Sequence, residues 1–187
     1  MKTHQRDHRK WLLGAVCLWL SGGGAFSADK SASVGEYQVK AAFIYNFTQF
    51  TDWPPGAFSA TNAPIVIGIV GEDPFGDTMD EVVRGEVVRG RPLVVKRLRP
   101  DEDLRSCHVV FISRAEKDRL PALLSQLKGS PILTVSDAGG FAEQGGMVNL
   151  LLVQKTIKLE INPAAAADAG LQISAKLLKL ARIVKSK

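Results

Sequence analysis

One α/β domain, a mixed β-sheet of about six strands flanked by helices, is what this sequence predicts. Ile65–Val70 (IVIGIV) and Val109–Ile112 (VVFI) are unbroken apolar runs rich in β-branched residues, the pattern of strands covered on both faces by helices. Met147–Val153 and Ile157–Ile161 flank a Gln154-Lys155-Thr156 connection and read as an antiparallel hairpin, so the sheet is mixed. Helical and strand patterns alternate along 187 residues that are 45% hydrophobic, enough for one core and too little for two domains.

Taken in order, the first helix is expected over Tyr37–Pro55 (YQVKAAFIYNFTQFTDWPP), with Ala28–Glu36 a short polar leader before it. Val39, Phe43, Phe47 and Phe50 recur at helical spacing and are expected to be buried, with Lys40, Gln49 and Asp52 turned away. Two prolines stop the helix, and residues 54–64 form a loop. After the 65–70 strand, Asp73 or Glu72 caps a helix with Pro74 in its first turn and Met79, Val82 and Val83 on its inner face. A direct duplication follows, EVVRG at Glu81–Gly85 and again at Glu86–Gly90, the first copy ending the helix and the second entering the strand Leu93–Arg97. Val109–Ile112 is the next strand. Ser113–Lys128 is a helix capped by Ser113, faced by Leu120, Leu123, Leu124 and Leu127, and ended by Gly129. Pro131–Ser136 is a strand running into a loop with four glycines over Asp137–Gly146. After the hairpin, Asn162-Pro163 starts a terminal helix that Gly170 breaks, its last part presenting Ile173, Leu177, Leu180 and Val184 opposite Lys176, Lys179 and Lys185.

The N-terminus reads as an address. Lys2, Arg6, Arg9 and Lys10 precede an apolar run, Trp11–Leu20, and small residues over Ser21–Ser27, the three parts of a secretory signal peptide cleaved between Ser27 and Ala28. Its apolar run is too short to anchor the chain in a bilayer, which takes about twenty residues. The expected domain plan is therefore a signal at 1–27, a leader at 28–36 and one domain at 37–187, with a periplasmic destination. Removal of 1–27 leaves 20 basic and 18 acidic residues, a net of +2 in place of +5, so the basic precursor offers no argument for a nucleic-acid partner.

Catalysis is excluded by inventory. His4, His8 and Cys17 leave with the signal, and the remaining Cys107 and His108 are strand neighbours pointing to opposite faces, unable to form a dyad or a metal site. Cys107, as a lone thiol, is a redox candidate only toward another molecule. Asp77, Asp80 and Glu81 suit a solvated first helical turn, and Asp101-Glu102-Asp103 lacks the spacing of a calcium loop. No cofactor motif is present: Gly71–Gly76 has the wrong glycine spacing and two carboxylates where a phosphate would lie. Binding is better supplied. Of the ten aromatic residues beyond Ser27, seven lie between Tyr37 and Phe58. Tyr45, Trp53 and Pro54 are candidate partner contacts, a Trp at a helix end being a good anchor for a protein surface. Gly139, Gly140 and Phe141 are candidates for the lip of a pocket, on a loop at the end of a strand.

Six segments resemble, in order, the YfiR/HmsC-like family of small exported bacterial proteins: YQVKAAFIYNFTQFTDWP, IVIGIVGEDPFG, CHVVFIS, SDAGGFAEQGGMVNL, KLEIN and GLQISAKLLKLARIV. The resemblance implies a mixed sheet flanked by helices, often dimeric, and a periplasmic regulator without catalytic activity or cofactor. It implies a partner in the periplasmic part of an inner-membrane diguanylate cyclase, held inactive so that cyclic di-GMP and biofilm formation stay low. A sensor kinase is a second such partner, and a peptidoglycan-associated outer-membrane lipoprotein is the relieving one. The disulfide of some relatives does not transfer, because Cys107 has no mate. The alternative is a periplasmic small-ligand sensor with a pocket between the first-helix aromatics and the Gly139–Gly146 loop.

Overall fold

Alternation along β2 (Ile65–Val70) builds two cores, one on each face of the sheet. Ile65, Ile67 and Ile69 join Ala41, Ile44 and Phe47 of α1 (Phe26–Phe50) and Met79 and Val83 of α2 (Thr78–Val83). Val66 and Val70 join Leu120, Leu123 and Leu127 of α3 (Leu120–Leu127) on the opposite face. The computed structural model describes residues 26–186; the first 25 residues of the expected signal lie outside them.

The remaining elements are β1 (Thr51–Asp52), β3 (Val87–Val88), β4 (Arg91–Leu98), β5 (Val109–Ile112), β6 (Leu133–Ser136), β7 (Val148–Val153), β8 (Thr156–Ile161), α4 (Pro163–Asp168), β9 (Gln172–Ile173), α5 (Ala175–Leu178) and β10 (Arg182–Ile183). The main sheet is eight-stranded, in the order β10-β8-β7-β6-β5-β2-β4-β3, and β1 pairs with β9 apart from it. β4, β2, β5, β6 and β7 are parallel neighbours, and antiparallel pairing enters at β7–β8 and β3–β4. The architecture is therefore the expected mixed α/β sheet, and the strands beyond six are the two-residue edges β3 and β10. Both hairpins turn on two residues in left-handed backbone, Gln154-Lys155 between β7 and β8 and Arg89-Gly90 between β3 and β4, as the twist of such hairpins demands. The duplicated EVVRG is used twice in different conformations, as expected: Gly85, at φ +76°, ends α2, and the second copy supplies β3 and its turn.

Three expectations need correction. α1 is helical from Phe26, through the expected leader, and its buried stripe lies about one residue round from the expected one: Lys40, Ala41, Ile44, Phe47, Thr48 and Thr51 are buried, whereas Val39 is 46% exposed and Phe43 and Phe50 pack only partly. Lys40 can be inside because two carboxylates meet it there, as shown below. Asp73 caps no helix; its Oδ1 accepts from Phe75 N at 2.8 Å in a tight turn, and α2 begins later. The C-terminal segment is not a continuous helix, since after Gly170 (φ +75°) the chain forms β9, the single turn α5 and the edge strand β10, leaving Leu180 exposed.

Candidate functional site

Several surface clefts and one buried charge cluster result from this arrangement. The larger cleft, ≈ 670 Å³, opens between the end of α1, the 53–64 loop and the β3–β4 edge, and Trp53 and Pro54 line it together with Phe58, Arg89 and Arg91. Two of the three predicted contact residues therefore share one concave surface. Tyr45 is not part of it: half-buried, its hydroxyl donates to Glu86 Oε2 at 2.6 Å and ties α1 to the chain just before β3, and that bond to a carboxylate raises the phenol's pKa.

The loop that forms one wall is held by a stack of rings. Phe58 lies 4.3 Å from the His108 ring at 14°, Trp53 meets Phe58 edge-on at 6.0 Å, and the Arg91 guanidinium sits 3.8 Å from the Phe58 centroid. Arg91 Nη1 also donates to the carbonyls of Ala60 and Ala63, at 2.9 and 2.8 Å. His108 Nδ1 accepts from Val66 N at 3.1 Å, so its hydrogen is on Nε2, which donates to Ala57 O at 3.2 Å. Burial pushes the imidazole pKa down and keeps the ring neutral, the state both bonds require. The indole Nε1 of Trp53 and the hydroxyl of Thr51 are buried without a hydrogen-bond partner, so the junction between α1 and the loop is not fully satisfied.

The charge cluster lies at the carboxyl ends of β5 and β6, under the first described turns of α1. Asp137, immediately after β6, accepts at Oδ2 from Lys40 Nζ (2.8 Å), Tyr37 Oη (2.8 Å) and Arg114 Nε (3.0 Å), and at Oδ1 from Arg114 N (2.9 Å). Glu36 Oε1 accepts from Lys40 and, at 2.9 Å, from Arg114 Nη2. The side chains of Lys40 and Asp137 are each 1% exposed. Desolvation raises the Tyr37 phenol far above its ordinary value. Ligands in open α/β sheets bind beyond the carboxyl strand ends, but here the two cations and two anions pair with one another and act as a clamp between α1 and the sheet.

The pocket-lip residues do not act as a set. Gly139 borders a shallow ≈ 510 Å³ cleft with Arg114, Lys117 and Gln144, whereas Phe141 is fully buried against the α3 face. Its ring occupies the space a side chain at Gly146 would need, a Cβ there coming within 2.2 Å of it. The clefts at Trp53, Phe43 and Gly139 do not join the first-helix aromatics to this loop: Phe43 borders a different cleft, and Phe141 is buried. Cys107 is also inside, 3% exposed, with its thiol pKa raised by burial and its Sγ against Gly68, which does not suit an exchange-active cysteine. No group of three or more His, Cys, Asp or Glu suited to a metal occurs among the described residues.

A profile of the YfiR/HmsC-like family matches residues 37–182. The chain belongs to the YfiR/HmsC-like family. The match begins at Tyr37, inside the charge clamp, and ends at Arg182 within the last edge strand, so it spans the Trp53 cleft and all of the main sheet but its final residue. Arg89 and Arg91 in the larger cleft, and His108 stacked behind its Phe58, were not legible from the sequence, because the parallel pairings that put β4 and β5 on either side of β2 bring them to the 53–64 loop. One part of the clamp was legible: Glu36 and Lys40 have the i,i+4 spacing of a helical ion pair.

Proposed function

We propose that this protein is a periplasmic regulator that binds the periplasmic part of an inner-membrane signalling enzyme, a diguanylate cyclase, and holds it inactive, keeping cyclic di-GMP and biofilm formation low. Family membership over residues 37–182 carries the reading, and the Trp53 cleft supports it as a concave surface of the right residue types. Inhibition requires tighter binding to the inactive state of the partner; a hundredfold difference corresponds to about 2.7 kcal/mol. A cleft with an aromatic wall and arginines at its rim has the residue types that dominate such interfaces. A sensor kinase is the second partner class under the same scheme, with an outer-membrane lipoprotein as the relieving partner and a homodimer as the binding form.

The test is retention. The exported chain, immobilised and passed over detergent-solubilised inner membranes, is expected to retain a diguanylate cyclase, and its deletion is expected to raise cellular cyclic di-GMP. Retention of no membrane protein, with cyclic di-GMP unchanged by deletion, overturns the proposal.

A further inference from the structure

Arg89 is placed where an arginine is costly. It is the first residue of the two-residue turn between β3 and β4, with φ +52°, a left-handed conformation that Asn or Gly adopts more readily. Gln154 and Lys155 adopt the same conformation in the other hairpin, so the turn accounts for the backbone, and what sets Arg89 apart is where its side chain goes. Its guanidinium pairs with Asp52 and donates to Gln49 O at 3.3 Å, which brings it across to the end of α1 and the rim of the Trp53 cleft. The pair is exposed on both sides, at 56% and 58%, so an incoming carboxylate can replace Asp52 without a desolvation penalty already met. Arg91, over the Phe58 ring, adds a second positive charge on the same cleft, whose lining also includes Trp53, Pro54 and Pro55.

We infer that this cleft takes an extended, acidic segment of the partner protein, with an apolar side chain against Trp53 and Phe58 and a carboxylate displacing Asp52 from Arg89. The inference rests on the regulator reading and narrows it to a charge-complementary segment at one site. A carboxylate fits for two reasons: the cleft's cations outnumber its anions, no Asp or Glu being among the residues that line it, and a planar guanidinium accepts a carboxylate in bidentate fashion. Binding of this kind weakens as salt is raised.

Arg89→Asn is the discriminating variant. Asn relieves the turn, so the variant is expected to be as stable as the parent in urea, while retention of the membrane partner falls at least tenfold and loses most of its salt dependence. Full retention by R89N overturns the inference and leaves the regulator reading standing. A second arm needs no retained partner: a photo-cross-linking residue replaces Thr61, which is exposed and lines the cleft, in intact cells, and the captured peptide is identified by mass spectrometry. Capture of a partner segment with Asp or Glu within a few residues of the cross-link supports the inference. Capture of a second copy of this chain, capture of a segment without acidic residues, or no adduct overturns it. If the membranes retain nothing and deletion leaves cyclic di-GMP unchanged, but the cross-link captures an acidic segment, the partner class is wrong and the cleft assignment stands.

Discussion

Replacing Lys40 with Met tests whether the charge clamp holds α1 to the sheet. Met matches the length of the Lys stem and leaves the apolar contacts of the helix in place, so the change is close to a removal of charge. It leaves Glu36 and Asp137, whose side chains are 8% and 1% exposed, with Arg114 as their remaining cation. Removing one partner of a buried pair costs roughly 3–5 kcal/mol, because the ion left behind has lost both water and counter-charge. Arg114 still bonds both carboxylates, which puts the expectation near the lower end, about 3 kcal/mol. For a chain of this size that is a fall in Tm of roughly 6–12 °C. Urea unfolding at pH 7, followed by circular dichroism, reads the loss directly. Adding Asp137→Asn to Lys40→Met is expected to cost less than the sum of the two single changes, since the second removes the charge the first exposed. A Lys40→Met variant within about 1 kcal/mol of the parent, or strict additivity in the double variant, would refute the clamp; magnitudes below that are typical of exposed pairs.

Other outcomes follow from the same geometry. His108 is neutral and its folded-state pKa is depressed by burial, so between its ordinary value of 6.5 and the lower folded value the unfolded chain holds the extra proton: stability is complete above about pH 6.5 and falls below it, by about 1.4 kcal/mol per pH unit until the folded midpoint is reached. Asp80, held below the usual carboxylate range by its bond to Arg97, loses its contribution only at more acid pH, and the positive charge of Arg91 also disfavours the imidazolium. The pH slope between 6.5 and 5 in urea midpoints is expected to flatten in His108→Asn, and an unchanged slope counts against this role for His108. Gly68→Ala is expected to cost roughly 1–3 kcal/mol because the added Cβ would lie 2.7 Å from Cys107 Sγ, and Cys107→Ala in the same chain should recover part of that; additive losses by thermal melting would show that the thiol is not the obstacle. Cys107 should react with iodoacetamide at the rate of global opening, and rapid alkylation of the native protein would contradict its burial.

The parallel core was legible because its signal is local. Ile65–Val70 and Val109–Ile112 read as doubly covered strands from their own composition, and both fall on those residues. The hairpin over Val148–Ile161 was equally readable from two runs flanking a short connection. The α1 stripe was misread because helical periodicity counts apolar residues and Lys40 is not one; it is buried by Asp137, 97 positions away, and a pairing at that separation leaves no trace in a window of one helix. The residues after Gly170 misled for the opposite reason. Ile173, Leu177, Leu180 and Val184 have helical spacing, but Gln172–Ile173 is needed to pair with Thr51–Asp52 and Arg182–Ile183 to cover the β8 edge, and these sheet contacts outweigh a local preference. Phe141 was taken for a lip because glycines surround it. Those glycines let the loop fold over the ring, and Gly146 in particular admits it where any side chain would not.

A single rigid element links the clamp to the cleft. α1 runs without a break from Lys40, fastened beneath Asp137, to Thr48, which lines the cleft and whose Oγ1 donates to Tyr45 O at 2.7 Å. Beyond it, β1 is pinned to β9, and Ser174 N donates to Phe50 O at 2.8 Å, so the cleft's α1 wall is fixed at both ends by elements distant in sequence. The opposite wall is carried by β3 and β4 at the sheet edge, joined to α1 by the exposed Arg89–Asp52 pair and the Tyr45–Glu86 bond. Side-chain bonds at a surface are cheap to break, on the order of 1 kcal/mol each, whereas removing one partner from the buried clamp costs roughly 3–5 kcal/mol. A segment that enters the cleft therefore meets a wall held still by α1 and an edge that can yield. The carboxylate exchange inferred at Arg89 would take place on that yielding edge, with α1 left in place.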